Sequence, residues 1–206
     1  MFRRCLLPPL PEHDLAADLL SGAADALLRH DLPQAANLLR ESDLRPLEDY
    51  RNAVAGPINS AILRQASLPV YARAHETTGP RMPTLGVTKQ LLARDGYRCR
   101  FCGSRVIVKE ARRAFIKALP TVVRWNGTNR GNHFGLAVLS ASIDHLVPFQ
   151  RGGRNDSDNL VTACNPCQFG RGHWLLDEVE LQDPRMYPPN VDSWDGLTRL
   201  RGALCE

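Results

Sequence analysis

The sequence predicts an α+β chain: an N-terminal helical subdomain over residues 1–83, then a small strand–loop–strand–helix unit within residues 84–206, clipped by a metal ion. Three observations predict it. Apolar residues recur at three- and four-residue steps through the first third of the chain. Two short apolar runs flank a Gly-Gly loop late in the chain, the signature of paired strands. Two Cys-x-x-Cys pairs, Cys99/Cys102 in YRCRFCG and Cys164/Cys167 in TACNPCQ, enclose that unit.

Leu15, Leu19, Ala23, Ala26 and Leu27 form the apolar stripe of a first helix. His30-Asp31-Leu32-Pro33 reads as a break and restart, with the cap at Asp31 or Leu32 and Pro33 in the first turn, and Gln34 to Arg40 continues as helix. Leu47 to Ala55 is a third helix, ended by Gly56-Pro57, and Asn59 to Ala66 a fourth, before Pro69. The Gly-, Pro- and Thr-rich stretch 77–84 marks the boundary. Thr88 to Arg94 is a short helix that delivers the chain to an Asp95-Gly96 turn before the first cysteine pair.

Residues 103–140 form a long insertion with a basic helix from Lys109 to Leu119 and a polar loop from Trp125 to His133; Phe134 to Leu139 is helix or strand. Leu139 to His145 is a strand running into a turn at Pro148, Gly152-Gly153 supplies pliable backbone, and Asn159 to Ala163 is the second strand. A helix opens at Cys164 and stops near Gly170 or Gly172, and Leu175 to Leu181 adds a helical turn or two. The Pro- and aromatic-rich tail beyond Asp183 wraps back on the domain. His133 reads as a loop or surface histidine, His13, His30 and His75 as structural or exposed, and Trp125, Trp174 and Trp194 as packing residues.

At 206 residues with a net charge of +4, the chain has room for one domain or two small ones. No stretch approaches the roughly 20 apolar residues that span a bilayer, so a membrane is not among the expected partners. The opening MFRRCLLPPLPEHD starts like a signal peptide, but prolines and acids interrupt its apolar run, and the expected compartment is the cytoplasm. In that reducing setting paired cysteines are metal ligands rather than disulfides. Cys5 and Cys205 stand outside the pairs and receive no role. Positive charge gathers in residues 81–154, where the acids are Asp95, Glu110 and Asp144 alone. Such a segment is the footprint of a polyanionic partner, nucleic acid first. On the basic helix Lys109, Arg112, Arg113 and Lys117 share one side, and Arg151 and Arg154 flank the Gly-Gly loop; all six are candidate phosphate contacts.

Four thiols in two x₂ spacings suit tetrahedral Zn²⁺, about 2.3 Å from each sulfur. Between them lies Asp144-His145-Leu146-Val147-Pro148, then Arg-Gly-Gly, then Asp158-Asn159-Leu160-Val161. In that order these elements resemble the zinc-clipped branch of the HNH endonucleases, from Tyr97 to about Gly172. The resemblance implies a ββα-metal domain that hydrolyses DNA, with His145 as general base on water and Asp144 as ligand to a catalytic Mg²⁺ or Mn²⁺. It also implies that Asn159 hydrogen-bonds in the loop and orients the base. The family places His or Asn directly after the last cysteine as second metal ligand; here Gln168 stands there, with His173 the other candidate. The rival reading is a zinc-stabilised nucleic-acid-binding module whose catalytic site is impaired. For the N-terminal helices the default is packing or docking, against a protein partner or a second copy in a homodimer.

Overall fold

The computed structural model describes residues 2–55, 79–126 and 131–204. The expected fourth helix, its Gly56-Pro57 boundary, the start of the 77–84 stretch, His75 and Cys205 lie outside those residues, as do residues 127–130 of the polar loop. The chain is α+β, as expected. In order it forms α1 (Pro11–Leu28), α2 (Leu32–Glu41), α3 (Arg45–Ala55), α4 (Leu85–Arg94), α5 (Lys109–Ala118), α6 (Phe134–Leu139), β1 (Ala141–His145), β2 (Leu160–Cys164) and α7 (Asn165–Arg171).

Local chemistry explains the starts. Pro11 opens α1, where a missing N–H is harmless, and His13 Nδ1 accepts from the Leu10 amide. Asp31 caps α2 by accepting from the Gln34 amide at 3.1 Å. Thr84 does the same for α4, which begins three residues earlier than the apolar pattern indicates. At the end of α4 the Asp95-Gly96 turn forms with Gly96 at φ +63°, where an added Cβ would lie 2.3 Å from Asn190 O.

Three sequence expectations need correction. The buried face of α1 is Ala16, Ala17, Leu20, Ala23, Ala24 and Ala26, so Ala23 and Ala26 of the expected stripe face inward while Leu15 is half exposed: small residues let α2 approach, and the larger leucine is left outside. Residues Phe134–Leu139 are a helix, and β1 begins only at Ala141. Leu175 to Leu181 tightens to one 3₁₀ turn, Asp177–Val179.

The strands pair antiparallel, Ala141 opposite Cys164 through His145 opposite Leu160. One core runs through both halves of the chain. Leu20, Leu39 and Leu47 from α1–α3 pack in the same cluster as Leu91, Phe115, Leu139, Ile143 and Leu160. A second cluster joins Leu6, Tyr50 and Val54 to Phe101, Val161, Val179 and the cysteine pairs. Close backbone approach seals these contacts: a Cβ at Gly135 would lie 2.4 Å from Ser42 O, and one at Gly170 2.5 Å from Val54 O. The tail returns as expected, with Trp194 Nε1 donating to Val106 O at 3.0 Å.

Candidate metal centre and catalytic cleft

The two cysteine pairs come from distant parts of the chain. Cys99 and Cys102 sit in a turn closed by Gly103 N–H donating to Cys99 O, and Cys99 N–H donating to Ser104 O. Cys164 ends β2 and Cys167 lies in the first turn of α7. Their four sulfurs lie within 4.8 Å of one another, with Cys102 Sγ and Cys164 Sγ 3.7 Å apart. A tetrahedral zinc with Zn–S of 2.3 Å needs sulfurs about 3.8 Å apart, so the donor set fits a structural Zn²⁺. A 3.7 Å separation is far too long for a disulfide. Four crowded thiols cannot all ionise side by side. Hydrogen bonds from Cys164, Cys167 and Cys99 pull Cys102 well below the ordinary thiol value, while Cys164 and Cys167 are pushed well above it. A dication removes that conflict. Cys5 stands beside the cluster, where burial and the nearby sulfurs of Cys102 and Cys99 push its thiol up to about 11.

Strand alternation sorts the residues at the end of β1. Ser142 and Asp144 share one face and meet Gln168 and Arg171, which lie three apart on one face of α7. Ser142 Oγ donates to Gln168 Oε1 at 2.5 Å, and Gln168 Nε2 donates to Ile143 O at 3.3 Å. Asp144 is engaged by Arg171 through two bonds, Nη2 to Oδ1 at 2.7 Å and Nε to Oδ2 at 3.0 Å. Arg171 is almost wholly buried and also donates to the carbonyls of His145, Leu146 and Trp174. Burial pushes the Asp144 carboxyl above the usual range, with Arg171 opposing.

His145 lies on the other face of β1, its ring edge-on to Phe149. Its Nε2 is 2.8 Å from Asn155 Oδ1. Asn155 Nδ2 donates to Pro80 O at 2.7 Å, which fixes that amide with its oxygen toward the ring. Nε2 is therefore the donor to Asn155, and in the neutral ring Nδ1 carries the lone pair. Asn159 is occupied elsewhere: its Oδ1 accepts from Val147 N–H at 2.8 Å, and its Nδ2 donates to Val147 O and Arg154 O. It clasps the loop, whereas the side chain that reaches the imidazole is Asn155. Gly153 fits inside this clasp because a Cβ there would lie 1.7 Å from Val147 O.

Asp144, His145, Gln168 and His173 line one open cleft of about 300 Å³, with Arg81, Met82, Phe149 and Phe169. Among the described residues the four cysteines are the one convergent group of three or more His, Cys, Asp or Glu, so an ion in this cleft would draw further ligands from water and substrate.

The predicted phosphate contacts divide. Arg154 is exposed, its side chain 3.8 Å from Asp156, and Lys109, Arg113 and Lys117 are exposed on α5. Arg151 instead forms a double hydrogen bond with Glu178, 2.9 Å each, and holds that carboxyl below its usual range. Arg112 lies over Trp125 and donates to Ser140 Oγ at 2.7 Å, so it packs the insertion. His133 is not a surface residue. It is buried at the start of α6, accepting from Leu136 N–H on Nδ1 while Nε2 donates to Leu39 O at 2.7 Å.

Residues 131–168 match the family model described as HNH endonuclease. The chain carries an HNH domain. That places it in a nuclease or nucleic-acid-binding class with a nucleic-acid substrate. The matched segment spans α6, β1, the Gly-Gly loop, β2 and the second cysteine pair. The first pair lies outside it and reaches the HNH domain through the fold. The chain matches no curated protein and no solved structure. No helix among the described residues is long and apolar enough to cross a membrane.

Arg171, Asn155 and Arg81 escaped the sequence reading. Arg171 alone had a legible signal: it stands three residues after Gln168, on the helical face that β1 must meet.

Proposed function

We propose that this protein is a metal-dependent DNA endonuclease in which His145 activates the attacking water. The observation that carries the reading is the Asn155–His145 hydrogen bond, which leaves Nδ1 as the basic nitrogen of a ring lining an open polar cleft. Nδ1 takes a proton from water as the oxygen bonds to phosphorus; the bond to the 3′ oxygen breaks and that oxygen takes up a proton. The expected ends are a 3′-hydroxyl and a 5′-phosphate. Asp144, with Gln168 or His173, would hold the divalent ion. Each Asp144 oxygen keeps a lone pair beyond its bond to Arg171, and hard oxygen donors suit Mg²⁺ or Mn²⁺. When bound, that ion supplies neutralisation of the phosphate and of the leaving oxygen.

One observation favours a second reading. Arg171 engages both oxygens of Asp144, the one carboxylate lining the cleft among the described residues. A guanidinium in that position repels a dication, which suits a zinc-stabilised nucleic-acid-binding module with an impaired catalytic site.

Supercoiled plasmid incubated with wild type and His145→Ala, in Mg²⁺, Mn²⁺ or EDTA, separates the two. Cutting by wild type that EDTA and the substitution both abolish supports the nuclease. Wild type that holds about one zinc per chain, as a four-cysteine site requires, binds DNA and cuts no better than His145→Ala, supports the binding module.

A further inference from the structure

Among the described residues Arg81 is the one Lys or Arg lining the cleft that holds His145, and it comes from outside the HNH match, on the segment before α4. Two other arginines near the site are committed. Arg171 is buried on Asp144, and Arg151 is doubly bonded to Glu178. Arg81 is exposed and forms no hydrogen bond or ion pair among the described residues. Its segment is tied to the site, because the Asn155 amide that holds His145 Nε2 also holds Pro80 O, one residue before Arg81. A single side chain thus links the backbone beside the cation to the catalytic ring. Met82 from the same segment lines this cleft and a second one of about 620 Å³, which runs on past Phe149 to Arg154. A cleft that attracts a phosphodiester needs a cation not already neutralised by the protein, and a guanidinium matches phosphate oxygens two at a time.

We propose that Arg81 is the phosphate-binding cation of the cleft, so that the segment ahead of the HNH domain completes the substrate site. This rests on the nucleic-acid-cleaving reading and names the residue that would grip the backbone.

The test uses full-length protein in a His145→Ala background, so that binding is read without cleavage. Fluorescence anisotropy with a labelled duplex DNA gives affinity across a salt series for the parent and for Arg81→Ala, Arg81→Lys and Arg45→Ala. Arg45 is an exposed cation on α3, paired with Glu48, that is not among the residues lining the cleft. Losing one phosphate contact lowers the magnitude of the log–log salt slope by about 1 and weakens binding equally across sequences. Arg81→Ala is expected to show both; Arg81→Lys retains the slope, and Arg45→Ala matches the parent. An unchanged slope and affinity in a normally melting Arg81→Ala protein overturns the assignment, as does absence of DNA binding by the parent at low salt. The plasmid assay keeps the two ideas apart. Cleavage with an Arg81-independent salt slope removes Arg81 and keeps the nuclease; no cleavage with an Arg81-dependent slope does the reverse.

Discussion

Asp144 and Arg171 form a buried pair, and the worth of such a pair shows only when one member is removed. Arg171→Met leaves the carboxylate inside the protein without its partner, and is expected to lower stability by about 3–5 kcal/mol. Asp144→Asn, Arg171→Met together should recover part of that loss, because no unpaired charge remains. A double-mutant cycle by urea melting measures it, and additive effects would show that the two side chains do not depend on each other. Two asparagines offer a cleaner separation of catalysis from stability. Asn155→Ala frees the His145 ring and should reduce cleavage by about 10–100-fold with little change in melting, since small misplacements of a reacting group cost that much. Asn159→Ala removes three loop hydrogen bonds, and should cost about 1–3 kcal/mol. The opposite pattern in paired melting and kinetic assays would return the orienting role to Asn159. The cysteines were legible from their x₂ spacing, and Asp144, His145 and Asn159 stood out only through the resemblance that their ordered motifs carry. Asn155 was not, because its role arises only where a loop meets a strand end, and Arg171 was marked only by its three-residue step from Gln168 on the face that meets β1.

Helix α6 is where sequence reading was weakest, and its N-terminal cap explains why. FGLAVL is short and apolar, so periodicity cannot separate helix from strand. The decision comes from His133, whose Nδ1 accepts from Leu136 N–H while Nε2 reaches back to α2 at Leu39 O. Burial pulls His133 below its ordinary value; Asp43 opposes that shift and Arg124 adds to it. His13, edge-on to Tyr50 between α1 and α3, is lowered by burial as well. Both rings are favoured neutral in the folded chain. In the window between the folded value and the unfolded value near 6.5, the unfolded chain binds more protons, so stability rises with pH. The contribution is complete above about 6.5 and is lost as pH falls through the folded value. Urea melts of wild type should therefore weaken from pH 7 to pH 5. His133→Asn keeps a capping oxygen but loses the bond to Leu39, so it should be about 1 kcal/mol less stable at pH 7. It should also show a shallower pH dependence, with the His13 part remaining. Parallel pH profiles for the two proteins would refute a role for His133 in that slope.

The distribution of charge and core along the chain bears on how much of it is needed. The basic segment 81–154 reads from sequence as a nucleic-acid footprint, yet much of its charge is answered inside the protein by acids from its flanks. Arg105 pairs with Asp14 and Asp18, Arg124 with Asp43, Arg98 with Asp192, and Arg151 with Glu178. Composition counts those charges but cannot say which are already matched. The same holds for the core. A boundary near residue 83 is reasonable from the Gly-Pro punctuation, but Leu20, Leu39 and Leu47 pack with Leu91, Phe115 and Leu139 across it. Tyr50 packs in the cluster that contains the cysteine pairs, and its hydroxyl donates to Leu7 O at 2.9 Å. Removing residues 1–83 would strip one side from both clusters and break the Arg105, Arg124 and Arg199 pairs to α1 and the α2–α3 turn. Each large core side chain deprived of its partners is worth about 2–5 kcal/mol, against a total stability of about 5–15 kcal/mol. The fragment 84–206 is therefore expected to lack a cooperative melt even with zinc present. A milder probe of the same junction is Gly170→Ala, whose new methyl would meet Val54 O at 2.5 Å and Val54 Cγ1 at 2.7 Å. That overpacking should cost about 1–3 kcal/mol while leaving the zinc content unchanged. If the fragment melts cooperatively within a few degrees of the full chain, the helices are dispensable for folding and the shared core is not what holds the HNH unit together.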